Sequence, residues 1–276
     1  MWPLPLPATT VARSLSACAA AARDPNLQLR VRAAVPIVES ATNRYVAAAA
    51  VQGLHSERST DYHVTDVTDS EMRKLYDRMA RATGSAHPIY LEIKGRNTRC
   101  PMCGTRAVST LDHFLPQSDF PALAVSPQNL IPACSECNKK KLSYVATSPD
   151  LTLSHAYFDN FDDAQWLWSE VVEVSPVTFR FYVSAPAHWS DLASKRAKHH
   201  FDRLNLEELY VSQASQSLAS IRKLLSDSLA ASGPAGVLRQ VEKLEGSCRH
   251  NRVNAWDTAM YGAMAGNAWF LSGGFV

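Results

Sequence analysis

The sequence predicts a mostly α-helical protein with a small metal-clamped ββα module near its middle and one β-hairpin behind it. Three observations predict it. Apolar residues recur at helical spacing in the stretches on either side. Two Cys-x-x-Cys pairs, Cys100-Pro-Met-Cys103 and Cys134-Ser-Glu-Cys137, enclose a proline-punctuated segment with short β-branched runs. Residues 166–174 and 177–183 alternate apolar and polar around Ser175-Pro176, the mark of a hairpin.

In chain order, residues 11–22 are alanine-rich and helical, and 44–54 continue in that manner. Asp69 is placed to cap a helix over 71–82, with Met72, Leu75, Tyr76 and Met79 at helical spacing and Gly84 to end it. Residues 88–93 lead into a basic turn at 94–99. Residues 107–111 read as a strand that delivers Asp112 and His113 at its end. Pro116, Pro121 and Pro127 mark an extended loop, 129–132 a second strand, and 135–142 a helix. Helical patterns then cover 189–204, 206–229, 234–248 and 252–271. The organisation expected is a helical region over 1–88, the central module over 89–148, and a hairpin with helices over 149–276. No internal repeat or low-complexity linker interrupts it.

Bulk properties bound the function. A chain of 276 residues that is 46% hydrophobic can bury a real core. A net charge of +2 excludes a polybasic coat for nucleic acid, so any basic surface must be local. Six cysteines, four of them in the paired motifs, are too few for a disulfide scaffold. Reduced thiolates on a metal, and hence a cytoplasmic protein, are the expectation. Cys18 and Cys248 are expected to be small core residues. The start has no basic segment and Arg13 interrupts its apolar stretch, so no signal peptide is expected. The apolar tail over 255–276 carries Asp257, Asn267 and several glycines, and is too polar to span a bilayer.

A Cys-x-x-Cys knuckle is half of a tetrahedral zinc site, because two thiolates on one tight turn converge on one ion. The second pair completes a structural site of Cys100, Cys103, Cys134 and Cys137. Such an ion substitutes for the core that two short strands and one helix cannot build. Phosphodiester hydrolysis needs an activated water, neutralised phosphoryl oxygens and a stabilised leaving oxygen. One hard cation, Mg²⁺ or Mn²⁺, supplies the last two. Asp112 offers a carboxylate to such an ion and Asn138 an amide oxygen. His113, next to Asp112 on extended backbone, points to the other side and suits a general base.

Asp112-His113, Asn129-Leu130 and Cys134-Ser-Glu-Cys137-Asn138 in that order resemble the HNH, or ββα-metal, endonuclease family. The resemblance implies a metal-dependent nuclease cutting DNA, with RNA left open. It implies His113 as base, Asn129 as the residue orienting the imidazole, Asp112 as first metal ligand and Asn138 as the last. The last position departs from the founding pattern, which has His there. In this it is similar to the HNH domains of RNA-guided CRISPR nucleases, as is the stretch Asp112-His-Phe-Leu-Pro-Gln-Ser118. The alternative from another class is a zinc ribbon that binds nucleic acid or protein and cuts nothing. A ribbon needs none of Asp112, His113 and Asn138.

Lys139, Lys140 and Lys141 at the helix, with Arg99 and Arg106 beside the first knuckle, are the candidate phosphate contacts. Arg96 lies beside the same knuckle and could grip the backbone as well. Lys195, Arg196, Lys198, His199, His200 and Arg203 read as a solvated helix face, and His155 with Tyr157, Phe158 and Asp159 as a packing cluster. Gly262 and Gly266 form a small-residue stripe on the terminal helix, suited to core packing or to a partner. An HNH module has little sequence selectivity of its own, so the helical flanks are expected to dock a regulatory partner. An ATPase, as in bacterial antiphage systems with HNH subunits, is one such partner. The sequence does not give the oligomeric state.

Overall fold

The structure, a computed structural model, describes residues 2–276. Met1, part of the start read for a targeting signal, lies outside them. Helix takes 56% of the chain, and among the described residues the strands form only two antiparallel pairs. The expected class, mostly α with a ββα module and a hairpin, is the one observed. The chain divides into two compact units, Met1–Asn160 and Phe161–Val276.

In the first unit α1 (Val11–Ala20), α2 (Pro25–Ala33), α3 (Val35–Ala50) and α4 (Asp69–Ala80) share one apolar core. The sequence suggested Asp69 as the cap of α4, but the cap is Thr68. Its hydroxyl accepts from the Glu71 N–H and the Glu71 carboxylate accepts from the Thr68 N–H, a reciprocal capping box. Arg30 then grips Glu71 through two hydrogen bonds of 2.6 and 2.9 Å. Met72, Leu75 and Met79 are all fully buried, so each anchors α4 by about 2–5 kcal/mol against truncation to alanine. Helix α2 falls in the region expected to be helical without having been singled out, and α5 (His87–Lys94) stands where only a lead-in to the basic turn was expected. Each carries a proline in its first turn, where the missing N–H would have had no partner anyway.

Helix α5 packs on β1 (Thr110–His113) and β2 (Leu130–Ala133), and α6 (Ser135–Lys141) packs on β1. The register sets Asp112 opposite Ile131 and His113 opposite Leu130. Strand β1 starts later than the sequence suggested, because Ala107 bridges back to Arg99 in the first knuckle. Pro132 is tolerated in β2 because a two-stranded sheet is all edge.

The loop from β1 to β2 is tied to the helices. The Ser14 hydroxyl of α1 donates to the Val125 carbonyl at 2.7 Å, and the Thr42 hydroxyl of α3 to Ser126 Oγ at 3.1 Å. His155 is 2% exposed among the rings of Tyr45, Phe114 and Phe158, with the Tyr45 hydroxyl 2.6 Å from its Nε2. It is a packing cluster.

In the second unit β3 (Leu167–Val172) and β4 (Thr178–Val183) pair as a hairpin. They are covered by α8 (Leu206–Asn251) and α9 (Trp256–Ala265), over a core that includes Trp166, Phe179, Phe181, Met260 and Met264. The sequence suggested two helices over 206–248. The two arms of α8 meet at Gly233, whose φ of 61° is non-helical and suits only glycine here, directly before Pro234. In α7 (Asp191–Arg203) Lys195 pairs with Asp191 and Lys198 with Asp202 on the exposed face, whereas Arg196 and His200 are buried. The stretch expected as one helix over 252–271 is α9 followed by a π-helical turn, Phe270–Gly274. Gly262 is exposed and a Cβ there would meet nothing within 4 Å, so no neighbour approaches at that position of the small-residue stripe. Among the described residues no helix is long and apolar enough to cross a membrane.

Candidate active site

The ββα module is built from the two knuckles inward. Cys100, Cys103, Cys134 and Cys137 are all buried, and their sulfurs lie within 4.8 Å of one another. Tetrahedral zinc at Zn–S of about 2.3 Å needs sulfurs roughly 3.8 Å apart, and four sulfurs gathered this closely suit that ion. Hydrogen bonds from neighbouring cysteines hold the Cys100 and Cys137 thiols well above their ordinary range. Hydrogen bonds from Cys100 hold the Cys103 and Cys134 thiols below their ordinary range instead, and a divalent ion would let all four ionise together. The first knuckle turns at Gly104, which has φ of +67° and donates its N–H to the Cys100 carbonyl at 2.7 Å. A Cβ there would also press on the Trp2 indole at 2.9 Å. Cys134 caps α6 and accepts from the Cys137 N–H at 3.3 Å. The second knuckle is thus the first turn of the helix that carries Asn138.

Asp112, His113, Asn138 and Lys139 line one open cleft, with Arg73 and Tyr76 of α4 on its wall. Asp112 is 4% exposed and faces the Lys141 ammonium, which lies 3.4 Å from Oδ1 and 3.3 Å from Oδ2. Only the Oδ1 contact has hydrogen-bond geometry, so Oδ2 is buried in ion-pair contact but without a donor. A buried acceptor with no donor and the Asn138 amide, on residues that line the same cleft, are oxygen donors of the kind a hard cation takes. Burial pushes the Asp112 carboxyl up to about 6 against the opposing charge of Lys141. Burial likewise lowers the Lys141 ammonium from its ordinary value, with Asp112 opposing.

His113 Nε2 lies 2.8 Å from the Ala124 carbonyl, an acceptor only. Nε2 must therefore carry the proton, and in the neutral ring Nδ1 keeps its lone pair. Nδ1 makes no hydrogen bond among the described residues. Burial lowers the imidazole to about 4, so the ring is neutral at pH 7 and able to take a proton at Nδ1. The Tyr76 ring stands edge-on to it at 4.4 Å while the Tyr76 hydroxyl donates to the Leu111 carbonyl at 2.9 Å. Tyr76 thus ties α4 to the strand residue just before Asp112. The sequence marked Tyr76 only as an apolar helical position.

Asn129 is fully buried. Its Oδ1 accepts from the Leu115 N–H at 2.8 Å, and its Nδ2 donates to the Leu115 carbonyl at 2.9 Å and the Leu123 carbonyl at 3.4 Å. Its side chain makes no hydrogen bond to the imidazole. It closes the loop that presents the Ala124 carbonyl, so any orientation of His113 by Asn129 acts through that loop.

The expected phosphate contacts separate. Lys139 is exposed in the cleft and Lys140 is half-exposed. Lys141, grouped with them by sequence, is 1% exposed and donates to the His113 carbonyl at 2.6 Å, which takes its ammonium off the surface. Arg99 donates to the Thr105 carbonyl at 2.6 Å and Arg106 stands 3.9 Å from Glu136, so both serve the first knuckle and its surroundings. Arg96 holds the carbonyls of Pro5 and Leu6 at 3.0 and 2.9 Å.

Residues 100–143 match the HNH endonuclease family model, and this domain supports a nuclease-type function. Over 233 residues the chain is 28% identical to Protein ea31 of Escherichia phage lambda, covering 80% of this chain and 79% of that protein. No solved structure matches the chain.

Proposed function

We propose that the protein is a metal-dependent endonuclease that hydrolyses phosphodiester bonds in DNA, with His113 as general base and Asp112 and Asn138 as ligands of one Mg²⁺ or Mn²⁺. The observation that carries this is the 2.8 Å approach of His113 Nε2 to the Ala124 carbonyl, which sets the tautomer of the ring. Its Nε2–H is committed to the Ala124 carbonyl, which leaves Nδ1 as the basic atom of a ring that lines the same cleft as Asp112 and Asn138. When bound, the cation neutralises a phosphoryl oxygen and stabilises the leaving 3′ oxygen. His113 Nδ1 takes the proton of the attacking water as the water oxygen bonds to phosphorus and the bond from phosphorus to the 3′ oxygen breaks. The negative charge of the bound phosphate raises the basicity of the imidazole from its low resting value. Lys141 keeps Asp112 charged inside the protein, and Asn129 keeps the loop behind His113 closed. A zinc ribbon that cuts nothing has no use for these features.

Little in the cleft reads a base sequence, so control falls to the flanks. A regulatory partner such as an ATPase, and a role as the nuclease of a bacterial antiphage system, would supply that control. The relative in hand comes from a phage, so the defence role rests on the need for control alone.

Purified protein incubated with supercoiled plasmid and Mg²⁺ or Mn²⁺ should nick or linearise it, and EDTA should stop this while the zinc content is unchanged. A folded, zinc-loaded protein that cuts neither plasmid, single-stranded DNA nor RNA with either cation would overturn the reading.

A further inference from the structure

We infer that Arg73, on the flanking helix α4 outside the matched segment 100–143, contacts the substrate's phosphate backbone in the cleft that Lys139 also lines. The proposal rests on the nuclease reading of this cleft and names how the flank takes part in it.

Two cations line the cleft with their charge unclaimed. Neither Arg73 nor Lys139 makes a hydrogen bond or ion pair among the described residues. This is unusual for Arg73, because α4 offers it carboxylates four residues away on both sides, at Asp69 and Asp77. Asp69 is instead held by His63 at 2.9 Å, and Asp77 makes no ion pair. The one carboxylate lining the cleft, Asp112, is already matched by Lys141. The local balance of the cleft is therefore positive, in a chain whose overall charge is only +2. A guanidinium left without a protein partner beside such a site suits a phosphate, whose oxygens match its fork of N–H donors.

The position of Arg73 is fixed rather than incidental. The capping box at Thr68 and Glu71 and the Arg30 grip on Glu71 hold the first turn of α4. Met72 is fully buried on one side of Arg73 in sequence, and Tyr76, one turn on, is tied to the Leu111 carbonyl. Residues three apart share a helix face, so the anchor that ties α4 to β1 also aims Arg73 at the cleft. Lys139 reaches the same cleft from α6. Phosphate held by the two would lie in the cleft that Asp112 and His113 also line.

The test uses the full chain and a labelled DNA duplex. In a His113→Ala background, which binds without cutting, the slope of log K against log salt is measured with Arg73 and with Arg73→Ala. One lost phosphate contact predicts a slope shallower by about 0.9. With His113 present, Arg73→Ala should lower kcat/KM about ten- to a hundredfold, the range of a charge-assisted hydrogen bond. Arg73→Lys should recover part of that loss, since it restores the charge but not the fork. Arg73 has no protein partner, so its removal leaves nothing buried and unpaired, and an unchanged melting temperature is expected. An unchanged slope overturns the proposal whatever the rate does, as does a protein that binds no duplex. If the duplex is bound with the expected change in slope but is never cut, Arg73 stands and the nuclease reading alone fails.

Discussion

Replacing Asn129 with alanine tests whether one buried amide holds the loop behind the candidate base. The side chain is fully buried and makes two good hydrogen bonds, both to Leu115, which is itself 3% exposed. Removing it leaves the Leu115 N–H and carbonyl without partners in the interior, at about 1–3 kcal/mol each. The third bond, 3.4 Å long to Leu123, adds little. Water entering the space recovers part of the loss, so a net cost of about 3 kcal/mol is expected. That is a large share of the roughly 5–15 kcal/mol that stabilises a typical domain. Urea unfolding of wild type and variant, with zinc retained, measures it. The same loop presents the Ala124 carbonyl, so catalysis should fall more than the folded fraction does. Asn129→Asp should not rescue, because it keeps an acceptor for the Leu115 N–H but loses the donor and buries a charge. A loss below about 1 kcal/mol for Asn129→Ala would refute the clamp.

Metal analysis of protein purified without added zinc should find about one ion per chain, and Cys137→Ser should cost folding as well as activity; full stability without metal would remove the zinc site. The lysines of α6 should behave oppositely in thermal melts. Lys141→Met leaves Asp112 buried and unpaired and should cost about 3–5 kcal/mol, whereas Lys139→Ala should change stability by less than about 0.5. Glu71 is held down to about 2, first by its hydrogen bonds from Arg30 and then by that from the Thr68 N–H. A depressed carboxylate contributes stability that is present above its ordinary range near 4.5 and lost as pH falls through about 2. Melting temperatures of wild type and Glu71→Gln should therefore converge over that acid interval, and parallel curves would contradict the linkage.

Local signals carried the module. Spacing of the cysteines, β-branched residues before Asp112 and prolines in the loop all act over a few residues, and the strands and helix formed where they pointed. Boundaries were less legible. Thr68 and Asp69 can both cap a helix, and only the reciprocal bond with Glu71 decides between them. The burial of Lys141 was legible in principle, since it stands one turn beyond Cys137 and shares its inward face. Its place in a run of three lysines hid that. The Ala124 carbonyl was not legible at all, because a backbone oxygen leaves no mark on residue identity. Tyr76 and Arg73 were missed for a different reason. They share the cleft of Asp112 and His113 only because α4, far away in sequence, packs on the module through Tyr76.

The central claim is that His113 Nδ1 is the base, and the measurement that tests it most directly is the single-turnover cleavage rate of His113→Ala at saturating protein. The account predicts a fall of about two to four orders of magnitude. DNA affinity, zinc content and melting temperature should stay close to wild type. Cleavage by His113→Ala at the native rate would contradict it.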